Sequence, residues 1–181
     1  MKKQTFWTEV SRYGAIIGAL EVLFLLLGAL FYGKTGLTMI FSVLHVAIFV
    51  TLLYLFTKRR SVLYGAEGYS FGDGMKFIFF LSLLAGVLAG AYDIVARNWL
   101  FPGLYREMAD TMMAAMAQAK LSTKELLEVK ESFDKTLFSP LYVVGSDVLG
   151  LALRGLFFGL FIAAFTRREA NIFADKKEEN E

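Results

Sequence analysis

The sequence predicts an all-α fold: a polytopic membrane protein with four transmembrane helices and an extracytoplasmic amphipathic helical hairpin between helices three and four. Three observations predict it. Of 181 residues 56% are hydrophobic and the mean hydropathy is +0.53, whereas soluble domains are about 45–50% apolar even with glycine counted. Four windows, residues 13–32, 37–57, 75–96 and 141–165, each hold the about 20 mostly apolar residues needed to cross a hydrocarbon core about 30 Å thick. The segment 103–138 between the last two windows is charged and shows helical rather than unbroken apolar spacing. The chain reads as one membrane domain, residues 1–181, with a cytoplasmic tail at 166–181.

The first window is apolar on all sides (Leu20–Leu30, LEVLFLLLGAL), which suits a helix and not the alternating strand of about 10 residues in a barrel. Lys2 and Lys3 precede it as in a signal peptide, but the run is longer than a signal core and ends in Phe31-Tyr32-Gly33-Lys34 rather than small-x-small, so it reads as an uncleaved anchor. Gly33-Lys34-Thr35-Gly36 is short enough to force helices one and two into an antiparallel hairpin. Before helix three, Gly68-Tyr69-Ser70-Phe71-Gly72-Asp73-Gly74 carries three glycines but lacks the Gly-Lys-Ser/Thr of a phosphate loop. It reads as a turn in which Ser70 or Asp73 caps the next helix. Helix three stops at the outer interface, with Trp99 as anchor and Pro102 as terminator.

In the external segment Met108, Met112, Ala115, Met116 and Ala119 fall on one stripe of a helix near Tyr105–Lys120. Ser122 and Glu125 form a capping box for a second helix whose stripe is Leu126, Val129 or Lys130, Phe133 and Leu137, and Ser139-Pro140 ends it before the fourth span. The four methionines at 108, 112, 113 and 116 offer thioethers of the kind that hold Cu(I), but no His or Cys accompanies them. They read as flexible core or lipid-facing side chains, and no metal site is expected.

Basic residues set the orientation. Lys2, Lys3 and Arg12 precede helix one, Lys58, Arg59 and Arg60 end helix two, and Arg167, Arg168, Lys176 and Lys177 follow helix four, all on one side of an even-numbered bundle. The opposite side has Lys34 and a long loop whose six basic residues are balanced by six acidic ones. Both termini are therefore expected in the cytoplasm.

The composition excludes much chemistry. With Cys 0 and His 1 there is no disulfide, no thiolate site and no motif needing two histidines. A formal charge of +2 leaves no footprint for nucleic acid. No Ser/His/Asp ordering or metal-ligand spacing stands out, so the chain reads as a non-enzyme without cofactor. What remains are ionisable residues inside the spans, each costing about 2.5–3.5 kcal/mol on insertion. Counted at about 1.5 Å per residue from the outer end of each window, Glu21 and Arg154 lie within about a helical turn in depth and predict an ion pair between helices one and four. His45 and Asp147 match in depth and extend the cluster outward. Asp93 lies near the outer surface with Arg97 at i+4 and reads as an interfacial pair without a functional role. Gly14-x-x-x-Gly18, Gly86-x-x-x-Gly90 and Gly155-x-x-x-Gly159 signal close helix packing in a compact bundle or a homo-oligomer.

The layout resembles a known family in a basic, Trp-containing N-terminus running into Tyr13-Gly14, in Gly68-Tyr69-Ser70-Phe71-Gly72 before helix three, and in Tyr92-Asp93 leading to Asn98-Trp99-Leu100-Phe101-Pro102. It does so also in the external helical segment and in a last span ending Phe161-Ile162-Ala163-Ala164-Phe165-Thr166-Arg167-Arg168. These residues resemble the bacterial four-helix membrane-protein family catalogued as domain of unknown function 4199. The resemblance implies a bacterial inner-membrane protein and carries no activity, substrate, cofactor or catalytic residue. Two functions stay open. One is a non-catalytic structural, assembly or accessory protein of the lipid bilayer, with a protein partner at its external hairpin or as a homo-oligomer. The other is a small proton-coupled or solute transporter using Glu21, His45, Asp147 and Arg154.

Overall fold

A computed structural model describes residues 5–64, 67–117 and 123–170. The helices are α1 (Phe6–Leu30), α2 (Thr35–Leu63), α3 (Phe71–Val95), α4 (Pro102–Ala117), α5 (Thr123–Leu137) and α6 (Pro140–Thr166), with a π-helical turn, Ala96–Leu100, extending α3. Four stretches are long and apolar enough to cross a bilayer: Phe6–Leu30, Gly36–Leu63, Phe71–Leu100 and Pro140–Thr166. The protein is thus an all-helical, multi-pass membrane protein.

These helices outrun the apolar windows because their caps lie in the polar flanks. Thr5 accepts a hydrogen bond from the Thr8 amide (3.4 Å), which starts α1 two turns before the first window and brings Glu9 and Arg12 into the helix. α1 then ends at Leu30, and Gly33 takes the positive φ (+81°) that turns the chain into α2. Ser70 and Asp73 form a reciprocal capping box at the start of α3: the Asp73 amide donates to Ser70 Oγ (3.1 Å) and the Ser70 amide to Asp73 Oδ2 (3.0 Å). Pro140 occupies the first turn of α6, where its missing N–H costs nothing.

α3 is the hub of the bundle, packing along its length on α6 and, on another face, on α1. Glycines set both approaches. A Cβ at Gly86 would sit 2.6 Å from Val148 Cα and one at Gly90 2.8 Å from Val144 Cα, both in the backbone of α6. A Cβ at Gly155 of α6 would lie 2.7 Å from Ser82 Cβ, and one at Gly159 3.2 Å from Ile78. On the α1 face, Gly14 and Gly18 give room to Leu84 and Leu88. Lipid offers no hydrophobic drive between spans, so such backbone approach and the dispersion it allows supply the cohesion. The core is Tyr13 and Ile17 of α1, Phe49 and Leu53 of α2, Phe77, Ile78 and Leu81 of α3, and Leu151 and Ile162 of α6. α2 is peripheral, and its first half leaves Met39, Ile40 and Val43 exposed to the surroundings.

At the end of the bundle that carries Lys58–Arg60, the chain leaving α6 is tied to the α2–α3 loop. Tyr69 and Arg168 exchange two backbone hydrogen bonds (2.9 and 2.8 Å), and the Ser61 hydroxyl donates to the Thr166 carbonyl. Gly68 has φ +89°, and a Cβ there would lie 3.3 Å from the Ala170 amide nitrogen, so only glycine fits.

At the other end α4 and α5 pack on each other and on the ends of α3 and α6. The packed face of α4 differs from the expected stripe. Ala109 is buried and Tyr105, Met113 and Met116 are half-buried, whereas Met108 and Met112 are more than 40% exposed. The helix is rotated because Tyr105 is drawn down by a polar partner described below. Lys2, Lys3, the residues at 118–120, the Ser122–Glu125 capping box, the Leu126 side chain, Lys176, Lys177 and the tail beyond residue 170 lie outside the described residues.

Candidate functional site

Polar side chains meet inside the bundle at three depths. The middle cluster joins α1, α2 and α6. Glu21, 4% exposed, places Oε2 2.8 Å from His45 Nε2 and 4.0 Å from Arg154 Nη1. Phe24 stacks on the His45 ring (centroids 4.7 Å apart), and the Arg154 guanidinium lies over Phe49 at 5.8 Å. The histidine is therefore the closer neighbour of Glu21, and Arg154 adds charge from a longer distance. Glu21 Oε1 is buried without a hydrogen-bond partner among the described residues.

The second cluster lies toward the α4–α5 hairpin. Asp93 is 2% exposed, so side chains of the protein rather than water surround it. Arg97 holds it through Nε (2.8 Å) and Nη2 (2.5 Å), and the Tyr105 hydroxyl donates to Asp93 Oδ1 at 2.7 Å. Arg97 Nη1 also donates to the Leu137 carbonyl at the end of α5 (3.2 Å). One carboxylate thus fastens the hairpin to the hub helix at the π-helical turn, a backbone irregularity frequent at functional sites. Burial, followed by the hydrogen bond to Asp93, raises the Tyr105 phenol above its ordinary range. Beside this cluster is a cavity of about 430 Å³ lined by Phe24, Leu25, Leu104 and Met108, and by Asp93, Arg97 and Asp147. Asp147, paired in depth with His45 by sequence, lines this cavity instead, and its Oδ2 is buried without a hydrogen-bond partner among the described residues.

The third cluster, at the basic end, was not anticipated. Glu9 is 2% exposed and is ion-paired with Arg60 of α2. The Arg60 guanidinium lies 4.5 Å from the ring centre of Tyr64 and 5.1 Å from those of Phe6 and Phe77, an aromatic cage that replaces water around the charge. Burial raises the Tyr69 phenol beside it above its ordinary range, with Arg60 pulling the other way. A signal for Glu9 exists in the sequence: Glu9, Tyr13, Ile17 and Glu21 recur every four residues and share the buried stripe of α1. Arg60 reads from sequence as an ordinary basic flank, and only the approach of α1 and α2 turns it into a buried partner.

Chemically, these arrangements hold charges closed on one another. Among the described residues no group of three or more His, Asp or Glu side chains is placed to hold a metal ion. A search of curated proteins and a search of solved structures each return no match. Most of the first span, the other three spans, the capped Gly68–Gly74 turn and the Asp93 site at the end of α3 fall within residues 12–168, the stretch that matches the family described as protein of unknown function DUF4199, and the chain belongs to that family.

Proposed function

We propose that this chain is a non-catalytic structural, assembly or accessory protein of the bacterial cytoplasmic membrane. Both termini face the cytoplasm and the α4–α5 hairpin faces outward to a partner. The observation that carries the reading is that the buried carboxylates meet groups of the same chain: Glu9 pairs with Arg60, Asp93 with Arg97, and Glu21 faces His45 at 2.8 Å and Arg154 at 4.0 Å. Buried charge of this kind fixes helix rotation and register, a role well attested for polar residues in helical assemblies. The orientation rests on Lys58, Arg59, Arg60, Arg167 and Arg168 at one end of the bundle.

The test is native mass spectrometry of the full chain extracted gently from its own membrane, beside proton flux measured in proteoliposomes. A stoichiometric co-purifying protein that crosslinks to the hairpin, with no flux, supports the reading. A bare monomer or homo-oligomer carrying flux that Glu21→Gln abolishes overturns it in favour of a proton-coupled carrier. One observation favours that second reading, the short His45–Glu21 contact (2.8 Å) deep in the bundle, since such a pair can exchange a proton. Because the chain has no cysteine, single cysteines report topology directly. Met112→Cys is expected to react with a membrane-impermeant maleimide in intact cells and Arg59→Cys only after lysis; the reverse pattern inverts the orientation.

A further inference from the structure

We propose that the cavity beneath the hairpin is a binding site for an organic monocation, an ammonium group carried on an apolar body. The argument is one of charge balance. Three ionisable groups of formal charge line the cavity: Asp93, Arg97 and Asp147. Asp93 and Arg97 satisfy each other through two nitrogens, and Tyr105 takes the other oxygen of Asp93. Arg97 spends its remaining contact on the Leu137 carbonyl. Both are thus held chiefly by groups of the chain itself. Asp147 is left as an excess negative charge with a buried oxygen that no group among the described residues meets. An uncompensated carboxylate in a membrane span is costly and invites a cation.

The rest of the wall says what kind of cation. Phe24, Leu25, Leu104 and Met108 make the lining predominantly apolar, and Tyr32 adds an aromatic ring. At about 430 Å³ the space exceeds a bare or hydrated inorganic ion and falls in the range of small-molecule sites. An anionic phosphate is disfavoured by the same balance, because two carboxylates face one guanidinium in the lining. The ammonium belongs at Asp147 and the apolar body against Leu25 and Leu104. Such a group comes either from an aminophospholipid headgroup or from a soluble amine.

The probe is octylamine, added to the full chain in maltoside micelles at neutral pH and followed by the thermal unfolding midpoint, with octanol as the neutral comparison. Octylamine is expected to raise the midpoint saturably, octanol to leave it unchanged, and Asp147→Asn to weaken the amine by at least about tenfold, as loss of a charged hydrogen bond does. Leu104→Trp, which fills the cavity without touching its charges, is expected to abolish the effect and serves if Asp147→Asn does not fold. Equal stabilisation by octanol, no stabilisation by octylamine, or unchanged amine affinity in either variant overturns the proposal. Nanodiscs then separate the sources. Competition by phosphatidylethanolamine but not phosphatidylglycerol assigns the site to a lipid headgroup, and equal affinity in both assigns it to a soluble amine.

Discussion

Adding one methyl group to Gly86 should drive α3 and α6 apart. A Cβ there would stand 2.6 Å from Val148 Cα and 3.1 Å from the Asp147 carbonyl oxygen, both backbone atoms that cannot rotate away. Carbon atoms rest at about 3.5–4.0 Å, so the two helices must separate locally by about 1 Å. Overpacking of this kind costs about 1–3 kcal/mol, and alanine returns about 1 kcal/mol through its better helix propensity. Gly86→Ala should therefore lose up to about 2 kcal/mol after both terms are combined. Gly150 supplies the control: it lies within α6, and a Cβ there meets nothing within 4 Å. Gly150→Ala should gain up to about 1 kcal/mol from propensity alone. The assay is reversible unfolding by dodecyl sulfate in mixed micelles, read through Trp7, whose ring packs edge-on against Phe80 of α3 (5.1 Å). Opposite signs for the two substitutions are expected. If Gly86→Ala proves as stable as Gly150→Ala, backbone contact does not set the α3–α6 interface and the account of the hub is wrong.

Arg60→Ala strands the buried Glu9 carboxylate and should cost about 3–5 kcal/mol, much of which a Glu9→Leu, Arg60→Met double substitution restores, because an apolar pair leaves no charge to solvate; the same unfolding assay reads it. Double-substitution cycles should give a larger coupling for Glu21→Gln with His45→Ala than for Glu21→Gln with Arg154→Met, following the separations of 2.8 and 4.0 Å. Equal couplings would put the centre of that cluster elsewhere. The Tyr69 phenol, raised by burial, keeps its proton in the folded protein beyond about pH 10, where the unfolded chain releases it. The stability this contributes is full below about pH 10 and is lost as pH climbs through the raised folded value, so Tyr69→Phe should flatten the alkaline fall in an unfolding series.

Hydropathy located the spans to within about two turns, since about 20 apolar residues in a row leave a helix little choice of environment. Helix ends were less legible, because caps such as Thr5 and Ser70 lie in polar sequence outside any apolar window. Depth counting brought Glu21 and Arg154 to one level but carries no information on rotation about the helix axis. Rotation is what makes His45 the nearer partner of Glu21 and turns Asp147 into the cavity beside Asp93. Asp93 and Arg97 were read from sequence as an i,i+4 pair, and the structure has that pair. Their third member, Tyr105, lies across a chain reversal, and its hydrogen bond rotates α4 away from the stripe that methionine spacing suggests. Glu9 and Arg60 were hidden by category: each belongs to a flank that reads as water-facing, and each is buried by the other.

The hub arrangement bears on how the protein is made. α1, α2 and α3 leave the ribosome first, and α1 can seat on α3 through Gly14 and Gly18 at once. The opposite flank of α3, with Gly86 and Gly90, must wait for α6, which is translated only after α4 and α5. During that interval a groove in α3 stands open to the membrane. A chain truncated before Pro140 lacks the helix that covers Gly86 and Gly90, and so keeps that groove.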